Sequence, residues 1–290
     1  MTGQGPRIGF IGQGWIGKSY ADDFEQRGFS VVRYALEEPY AKNKDLVPEC
    51  DIVFIAVPTP TRANGFDDSI VRAVLPLLGK GKTAVIKSTL LPGTTEALQA
   101  SFPDIFVLHS PEFLREKSAA HDAANPQRNL IGIPVDDARY RAAAEAVLAV
   151  LPPAPYAKVL PSRSAELVKY AGNVFLATKV VFANMLYDLS NKLDASYEEV
   201  REALSADPRI GPSHLSPIDA SGHTEKAGRG AGGDCFIKDT EAFRRLYSET
   251  VGDSAGAELL LSLIRKNNVL LTESEKDLEI LRGVYGDTLP

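Results

Sequence analysis

Residues 7–17, RIGFIGQGWIG, decide the fold that we predict for this chain. A short apolar run leads directly into glycines at positions 12, 14 and 17. A helical pattern with acidic residues, KSYADDFEQRG, comes next, and then a second run rich in β-forming residues, FSVVRYAL. The order of strand, glycine turn, helix and strand predicts a βαβ unit.

Each glycine of this turn has a predicted role in the pattern G-x-G-x-x-G. Gly12 makes the tight turn, Gly14 lets a pyrophosphate approach the backbone, and Gly17 lets the helix and the strand pack closely. The N-terminus of the helix offers unpaired N–H groups and the positive end of its dipole to phosphates. The pattern therefore predicts a bound dinucleotide, with a purely structural turn as the alternative.

The residue expected to bind the ribose departs from the usual pattern. An acid is expected about 20 residues after the turn, at the end of the second strand. The sequence there reads VVRYALEE, so Ala35 occupies the expected position and Glu37 is the nearest acidic candidate. Arg33 would favour a 2′-phosphate, or it is a solvated strand residue. We predict NAD as the cofactor and leave NADP open.

Strand and helix patterns alternate through the first half of the chain. The strand patterns include CDIVFIAVPTPT, TAVIKST, DIFVLHSPEF and RNLIGIPV, and helical patterns such as TTEALQASF and DARYRAAAEAVLAVL lie between or after them. Nearly continuous apolar runs are typical of buried parallel strands. We predict an α/β fold, a Rossmann-like doubly wound parallel sheet, for an NAD-binding domain at residues 1–162.

The pattern changes after the proline-rich residues 151–162, LPPAPYAKVLPS, which predict a late strand and a linker. Apolar residues then recur at spacings of three and four through residues 164–194, as in an amphipathic helix. So long a periodic helix usually packs on something outside its own domain. We predict an all-α domain at residues 163–290, built on this helix, and a homodimer formed through it.

Composition excludes several functional classes. The chain has 290 residues and a formal net charge of -6, whereas a protein that binds nucleic acid through its phosphates needs a basic surface. No Cys/His cluster has the spacing of a metal site, and no apolar run approaches the roughly 20 residues of a membrane span. The N-terminus lacks the pattern of a signal peptide. We expect a cytoplasmic protein with free thiols, no metal, and neither nucleic-acid nor membrane partners.

Short stretches over nearly the whole chain resemble the UDP-glucose/GDP-mannose dehydrogenase family. In chain order they are GQGWIG, VPTPT, KSTLLPGTT, SPEFLREKSA with NPQRNLIG, ELVKYAGNVFLATK, DPRIGP and GGDCFIKD. The resemblance implies a small-molecule substrate, a nucleotide-linked sugar whose primary alcohol is oxidised to the acid while two NAD are reduced. It implies these cofactor-binding residues: Gly12, Gln13, Gly14, Trp15, Ile16, Gly17, Glu37, Val57, Pro58, Thr59 and Thr89.

The resemblance implies that Cys235 is the nucleophile. An aldehyde has no good leaving group, and a thiolate that adds to it makes a second hydride transfer possible, through a thiohemiacetal and then a thioester. Asp239 matches a residue that acts with a water as general base, and it lies one turn further if a helix begins near the cysteine. The role of Lys238 is left open, and Cys50 is interpreted as a packing residue.

Four further positions of the site follow from the resemblance. Lys169 and Asn173 are four residues apart on the long helix and match a pair that stabilises an oxyanion. Glu112 of SPEF matches the base of thioester hydrolysis, although it could instead cap a helix beginning at FLRE. Thr89 of KST matches a hydroxyl that helps to position the catalytic water.

The sequence also departs from the family. The connection before CDIVFIAV is short, and we expect a short member that lacks the C-terminal domain which binds the nucleotide sugar. Either residues 213–230 or a partner chain would then supply that surface, or the substrate is smaller or different. Two alternatives stay open: a single-step β-hydroxyacid-type dehydrogenase, which needs no cysteine, and a non-catalytic nucleotide-binding relative.

Overall fold

The computed structural model describes residues 5–221, 226–286 and 288–290. Residues 222–225, which include His223 and part of the loop expected to bind substrate, lie outside the described ranges. The chain divides into two compact units. The first comprises residues 1–59 and 67–169, and the second comprises residues 60–66 and 170–290.

The strands are short, and most of them belong to the first unit. They are β1 (Ile8–Ile11), β2 (Val31–Tyr34), β3 (Ile52–Ile55), β4 (Thr61–Arg62), β5 (Gly65–Phe66), β6 (Thr83–Ile86), β7 (Phe106–His109), β8 (Arg128–Ile133), β9 (Tyr156–Pro161), β10 (Ile218–Ala220) and β11 (Ala227–Arg229).

The helices occur in both units. They are α1 (Trp15–Gln26), α2 (Ser69–Val74), α3 (Thr94–Ser101), α4 (Ala119–Ala124), α5 (Ala138–Val150), α6 (Ser162–Lys192), α7 (Tyr197–Ser205), α8 (Gly233–Thr250), α9 (Ser254–Glu273) and α10 (Leu278–Tyr285). None of those described is both long enough and apolar enough to cross a bilayer.

The first unit is built on a seven-stranded sheet in the order β2-β1-β3-β6-β7-β8-β9. The first five strands of this order are parallel, which confirms the predicted Rossmann-like fold. All four residues of β1, β3 and β6 are buried, as expected for strands that are covered on both faces.

One part of the sheet departs from the predicted parallel arrangement. β8 runs antiparallel to β7, and β9 is parallel to β8. Two antiparallel neighbours can be joined at one end of the strands, without a crossover connection that runs back to their other end. Residues 110–127 therefore connect β7 to β8 at the edge where β7 ends, and this edge is where the SPEFLRE stretch lies.

Aromatic packing beneath α1 fixes the start of the sheet. The ring of Phe10 stacks on Phe54 with centroids 5.0 Å apart and meets Phe24 edge-on at 5.4 Å. All three side chains are almost fully buried, and each such burial contributes roughly 2–3 kcal/mol. This core packs α1 against β1 and β3, the elements on either side of the glycine turn and next to it in the sheet.

The second unit is mainly helical, as predicted, with two added hairpins. β4 pairs with β5 and β10 with β11, in both cases antiparallel. Helix α8 packs on α9 and α10 around the buried side chains of Ile237, Leu271, Leu281 and Val284. The long helix predicted at residues 164–194 is present as α6, with 31 residues.

Candidate active site

The glycine turn has the shape that a pyrophosphate requires. Gly12 has a φ of +90°, and a Cβ there would lie 2.2 Å from the carbonyl oxygen of Ala56. A Cβ at Gly17 would lie 2.0 Å from the carbonyl oxygen of Gly12, so only glycine permits this approach of helix to strand. At Gly14 a Cβ would meet no atom within 4 Å. The open space at Gly14, at the N-terminus of α1, fits a bound phosphate group.

Arg33 does not offer its charge to a ribose phosphate. Its guanidinium lies 2.6 Å from a carboxylate oxygen of Asp22 and 2.7 Å from one of Glu25. The positive charge of Arg33 is therefore already compensated by two carboxylates. Glu37 is exposed in the turn after β2, where its carbonyl accepts the amides of residues 40 and 41. This arrangement favours NAD over a cofactor with a 2′-phosphate.

Other residues of the predicted cofactor set lie in or next to the glycine turn. The Nε2 of Gln13 donates to the carbonyl of Gly12 at 3.1 Å. Trp15 begins α1 with 38% of its surface exposed, and Ile16 packs against the core of the sheet.

The segments that follow β3 and β6 are bonded to each other. The amide of Val57 donates to Oγ of Ser88 at 3.0 Å, and this hydroxyl donates back to the carbonyl of Val57 at 2.6 Å. The hydroxyl of Thr59 donates to the carbonyl of Thr89 at 2.8 Å, while Pro58 is exposed. Ser88 was not singled out from the sequence, but it joins two stretches that were.

Glu112 and Lys169 form a buried ion pair. The Nζ of Lys169 lies 2.7 Å from Oε1 of Glu112 and 2.9 Å from its backbone oxygen. Only 7% of the lysine side chain and 4% of the glutamate side chain are exposed. No helix begins at Phe113, so Glu112 is not the cap considered above, and its Oε2 instead accepts the amide of Leu114 at 2.8 Å.

Lys87 is a second buried lysine near this pair, and sequence reasoning missed it. Its Nζ donates to Oγ of Ser110 at 3.0 Å and lies 4.3 Å from the centroid of the Tyr20 ring. Burial lowers the pKa of Lys87 to about 7, against the opposing effect of the Glu112 carboxylate. A lysine at the end of the apolar strand TAVIK was the available signal. Burial also lowers the pKa of His109 to about 3, so this histidine is neutral.

In the second unit, Cys235 lies in the first turn of α8 and is partly exposed. A helix N-terminus attracts negative charge, so this position would stabilise a thiolate. Asp239 follows one turn later, so the two side chains share a face of the helix. Helix α8 thus begins close to the cysteine, as the suggested role of Asp239 requires.

Asp239 is fully buried and bound on both oxygens. Its Oδ2 accepts Nδ2 of Asn173 at 2.6 Å, and its Oδ1 lies 2.5 Å from Nζ of Lys238. The structure therefore brings Asn173, from α6, to Asp239, and it gives Lys238 a partner that the sequence did not predict. Lys169 lies one turn before Asn173 on α6.

Cys50, the other cysteine of the chain, is a packing residue of the core. Cys50 is fully buried, and its thiol contacts the carbonyl of Leu46 at 3.7 Å. A Cβ at Gly9 would approach its sulfur to 3.1 Å. Burial raises the pKa of Cys50 to about 11, so its thiol stays protonated. Within the described ranges, no three His, Cys, Asp or Glu side chains are grouped as a metal site requires.

Comparison with known proteins agrees with these features. Residues 33–150 match the NAD binding domain of the UDP-glucose/GDP-mannose dehydrogenase family, and residues 163–268 match its central domain. The UDP-glucose 6-dehydrogenase YwqF of Bacillus subtilis is 32% identical over 272 residues, which cover 89% of this chain and 57% of that protein. The UDP-glucose 6-dehydrogenase of Rhizobium meliloti is 36% identical over 216 residues, covering 69% and 46%.

Solved structures extend the comparison. A UDP-glucose dehydrogenase from Pyrobaculum islandicum has a TM-score of 0.77 and 30% identity, covering 97% of this chain and 72% of its own. A 3-hydroxyisobutyrate dehydrogenase from Mycobacterium tuberculosis, at 16% identity and a TM-score of 0.67, shares the fold alone. The chain spans about half the length of the curated relatives it matches. The chain belongs to the UDP-glucose/GDP-mannose dehydrogenase family and carries its NAD-binding and central domains.

Proposed function

We propose that the protein oxidises the primary alcohol of a nucleotide sugar to the acid, in two hydride transfers to NAD through a covalent intermediate on Cys235. The observation that carries this proposal is the first turn of α8. It presents a partly exposed thiol, with the buried carboxylate of Asp239 one turn further and bound to Asn173. A single-step dehydrogenase has no use for such a thiol.

The proposed steps balance in atoms and electrons. The alcohol loses its hydroxyl proton to a base and a hydride from its carbon, which gives the aldehyde. The thiol of Cys235 gives its proton to a base, its sulfur bonds to the aldehyde carbon, and a second hydride leaves the resulting thiohemiacetal alkoxide to form a thioester. Water breaks the carbon–sulfur bond, releasing the acid and restoring the thiol. Bound NAD supplies the acceptor for each hydride.

The chain offers a residue for each remaining task. Lys169 and Asn173 supply an ammonium and an amide for the oxygen that becomes negative when sulfur adds. Asp239 accepts a proton by way of a water, and Glu112 accepts one from the water that attacks the thioester. The hydroxyl of Thr89 helps to position that water. In support, the carboxylates of Glu112 and Asp239 are both buried and both paired with a lysine.

The number of NADH formed per sugar tests the mechanism. With UDP-glucose or another nucleotide sugar, the wild-type protein should form two NADH per acid produced, and mass spectrometry should detect an adduct on Cys235. The Cys235→Ser variant should lose acid formation, because its hydroxyl is a far weaker nucleophile. Cys50→Ala is the matched control and should keep both hydride transfers, since that thiol is buried in the core.

Three results would count against the proposal. Acid formation by Cys235→Ala at the wild-type rate would exclude the covalent intermediate. One NADH per substrate would favour the single-step dehydrogenase. If neither NAD nor NADP bound saturably at millimolar concentration, the protein would be a non-catalytic relative.

The proposed homodimer forms through α6. Four large apolar side chains lie near one line along this helix and its end, spaced by seven, seven and four residues: Phe175, Phe182, Leu189 and Leu193, which are 65%, 57%, 54% and 68% exposed. A contiguous apolar surface of this kind is typical of a protein–protein interface. A second copy of the helix offers the same stripe and thus a complementary partner.

Sedimentation velocity at micromolar concentration tests the dimer. The wild-type protein should sediment as a dimer and Phe182→Glu as a monomer, because the substitution buries an unpaired charge in the interface. Leu259→Glu, at a single leucine of α9 that is 72% exposed, is the control and should remain dimeric. A wild-type monomer would contradict the proposal.

A further inference from the structure

The glycine-rich loop at residues 228–233, which leads into the helix of Cys235, is held by a second segment of the same unit. This segment, residues 267–277, is called the clamp here. The amide side chain of Asn267 bonds both backbone groups of Ala231, accepting its N–H at 2.7 Å and donating to its carbonyl at 3.0 Å. The hydroxyl of Ser274 accepts the N–H of Arg229 at 2.9 Å.

The end of the clamp contributes two buried charged side chains. The Nζ of Lys276 donates to the carbonyls of Gly228 and Gly230, at 3.3 and 3.0 Å. The Oδ2 of Asp277 accepts the N–H of Gly233 at 2.8 Å, and its Oδ1 accepts the hydroxyl of Ser221 at 2.8 Å. Lys276 is 3% exposed and Asp277 is 7% exposed, so these bonds are shielded from water.

The glycines of the loop are complementary to the clamp. A Cβ at Gly232 would lie 2.1 Å from Oδ2 of Asp277. A Cβ at Gly228 would lie 2.9 Å from Cβ of Ser274. Glycine is therefore required at these positions because the clamp packs directly against the loop backbone.

The clamp adopts a backbone that its side-chain contacts must maintain. Asp277 has a φ of 54° and Glu275 a φ of 51°, in the left-handed region that few residues other than glycine occupy. The amide of Lys276 donates to the carbonyl of Leu271 at 2.9 Å, which ends α9. These residues follow the part of the chain that matches the family's central domain, which ends at residue 268.

We propose that Lys276 and Asp277 are positioning residues for Cys235. Gly233 is the first residue of α8 and Cys235 the third, so a carboxylate bonded to the N–H of Gly233 fixes the turn that carries the sulfur. A first turn that is ordered in this way directs its remaining N–H groups toward negative charge on the thiolate. The proposal rests on the proposed function only in taking Cys235 as the reacting group.

Alkylation of Cys235 by iodoacetamide, followed by mass spectrometry, tests the clamp without any substrate. Asp277→Gly removes the carboxylate and keeps a residue suited to the positive φ. We expect alkylation about threefold slower than in wild type, since a frayed helix N-terminus stabilises the thiolate less. Lys276→Met should act in the same direction. Asp277→Asn keeps an acceptor oxygen and tolerates the backbone, so it should restore most of the rate.

The matched control is Lys226→Met. Lys226 is exposed and pairs with Glu275 of the clamp, at 2.8 Å, but neither residue contacts the loop through a described bond. This variant should be alkylated at the wild-type rate. Circular dichroism at the assay temperature establishes which variants are folded. If Asp277→Gly unfolds, Lys276→Met and Asp277→Asn make the same comparison.

Turnover separates this proposal from the proposed function. If the wild-type protein oxidises a nucleotide sugar, Asp277→Gly should lower kcat about tenfold or more and leave the KM for NAD unchanged, because the sulfur is misplaced. If it oxidises none, the proposed function fails while the alkylation rates still test the clamp. Wild-type alkylation rates in folded Asp277→Gly and Lys276→Met would overturn the proposal and leave the clamp as packing alone.

Discussion

The two units each bury a lysine–carboxylate pair, and the pairs are built differently. Lys169 and Glu112 are 57 residues apart in the sequence, and each is more than nine-tenths buried. Lys238 and Asp239 are neighbours, and the lysine keeps 17% of its side chain exposed. Asp239 also accepts a neutral donor, the amide of Asn173. Glu112 likewise accepts a neutral donor, the backbone amide of Leu114 at 2.8 Å, so the pairs differ mainly in the exposure of the lysine. A lysine that keeps contact with water stabilises its carboxylate less, because water screens its charge.

Removing Lys169 should have the largest effect on stability. Lys169→Met leaves the Glu112 carboxylate buried without its ammonium, which typically costs about 3–5 kcal/mol. Urea unfolding of the first unit, followed by the fluorescence of Trp15, measures the loss, since Trp15 is the one tryptophan of the chain. Lys80→Met, at an exposed lysine of the same unit, should change stability by less than about 0.5 kcal/mol.

A double variant tests whether the loss of stability in Lys169→Met comes from the unpaired charge of Glu112. Lys169→Met combined with Glu112→Gln contains no unpaired buried charge, so it should recover much of the lost stability. If the double variant were as unstable as the sum of the two single ones, the destabilisation would come from packing and not from the charge.

Lys87 tests how the same unit tolerates a buried lysine that contacts a hydroxyl. Its pKa is lowered from 10.5 to about 7, so between these values the unfolded chain binds a proton that the folded protein has released. The free energy of unfolding should therefore rise with pH in this window, by on the order of 1 kcal/mol per pH unit. Lys87→Met should lack this rise and be more stable than wild type at pH 7.

Urea titrations at pH 7 and pH 9 measure the difference in slope. Lys80→Met is the control, because this lysine is 83% exposed and pairs only across the surface, with Asp104. Its stability should follow the wild-type pH dependence. Parallel pH profiles for wild type and Lys87→Met would mean that Lys87 is charged in the folded protein throughout this range.

Removing Lys238 should have the smallest effect of the three. The charge of Lys238 is partly screened by water, because 17% of its side chain is exposed. In Lys238→Met the Asp239 carboxylate also keeps the hydrogen bond from Asn173, and we expect a loss of about 1–2 kcal/mol. Helix unfolding followed by circular dichroism measures it. Lys266→Met, which removes a surface contact of 3.8 Å with Asp188, should cost less than about 1 kcal/mol. A loss as large as that of Lys169→Met would show that the partial exposure of Lys238 does not weaken its pair with Asp239.

The features predicted best from the sequence are those written in local patterns. The glycine spacing at positions 12, 14 and 17 predicted a βα turn, and a Cβ at Gly12 or Gly17 would collide with the backbone, as that spacing implies. The apolar period predicted α6 within two residues at each end. Such patterns act between residues that are a few positions apart, where backbone sterics and side-chain period suffice.

Strand direction shows where local patterns stop being informative. The apolar run RNLIGIPV predicted a strand but not its antiparallel pairing with β7. A buried strand has the same composition in either direction, because its side chains meet apolar neighbours on both faces. The direction depends on the connection at residues 110–127. Because this connection does not cross the sheet, β8 starts beside the end of β7 and runs back along it.

By itself, the sequence determined the α/β fold class, the family and the set of chemically suitable side chains. Only the tertiary structure decided which of these side chains meet. It paired Glu112 with Lys169, joined Asn173 to Asp239, buried Lys87 and placed residues 267–277 against the loop before Cys235. The physical reason is that a buried polar group must find a partner in three dimensions, and that partner lies at no fixed spacing along the chain.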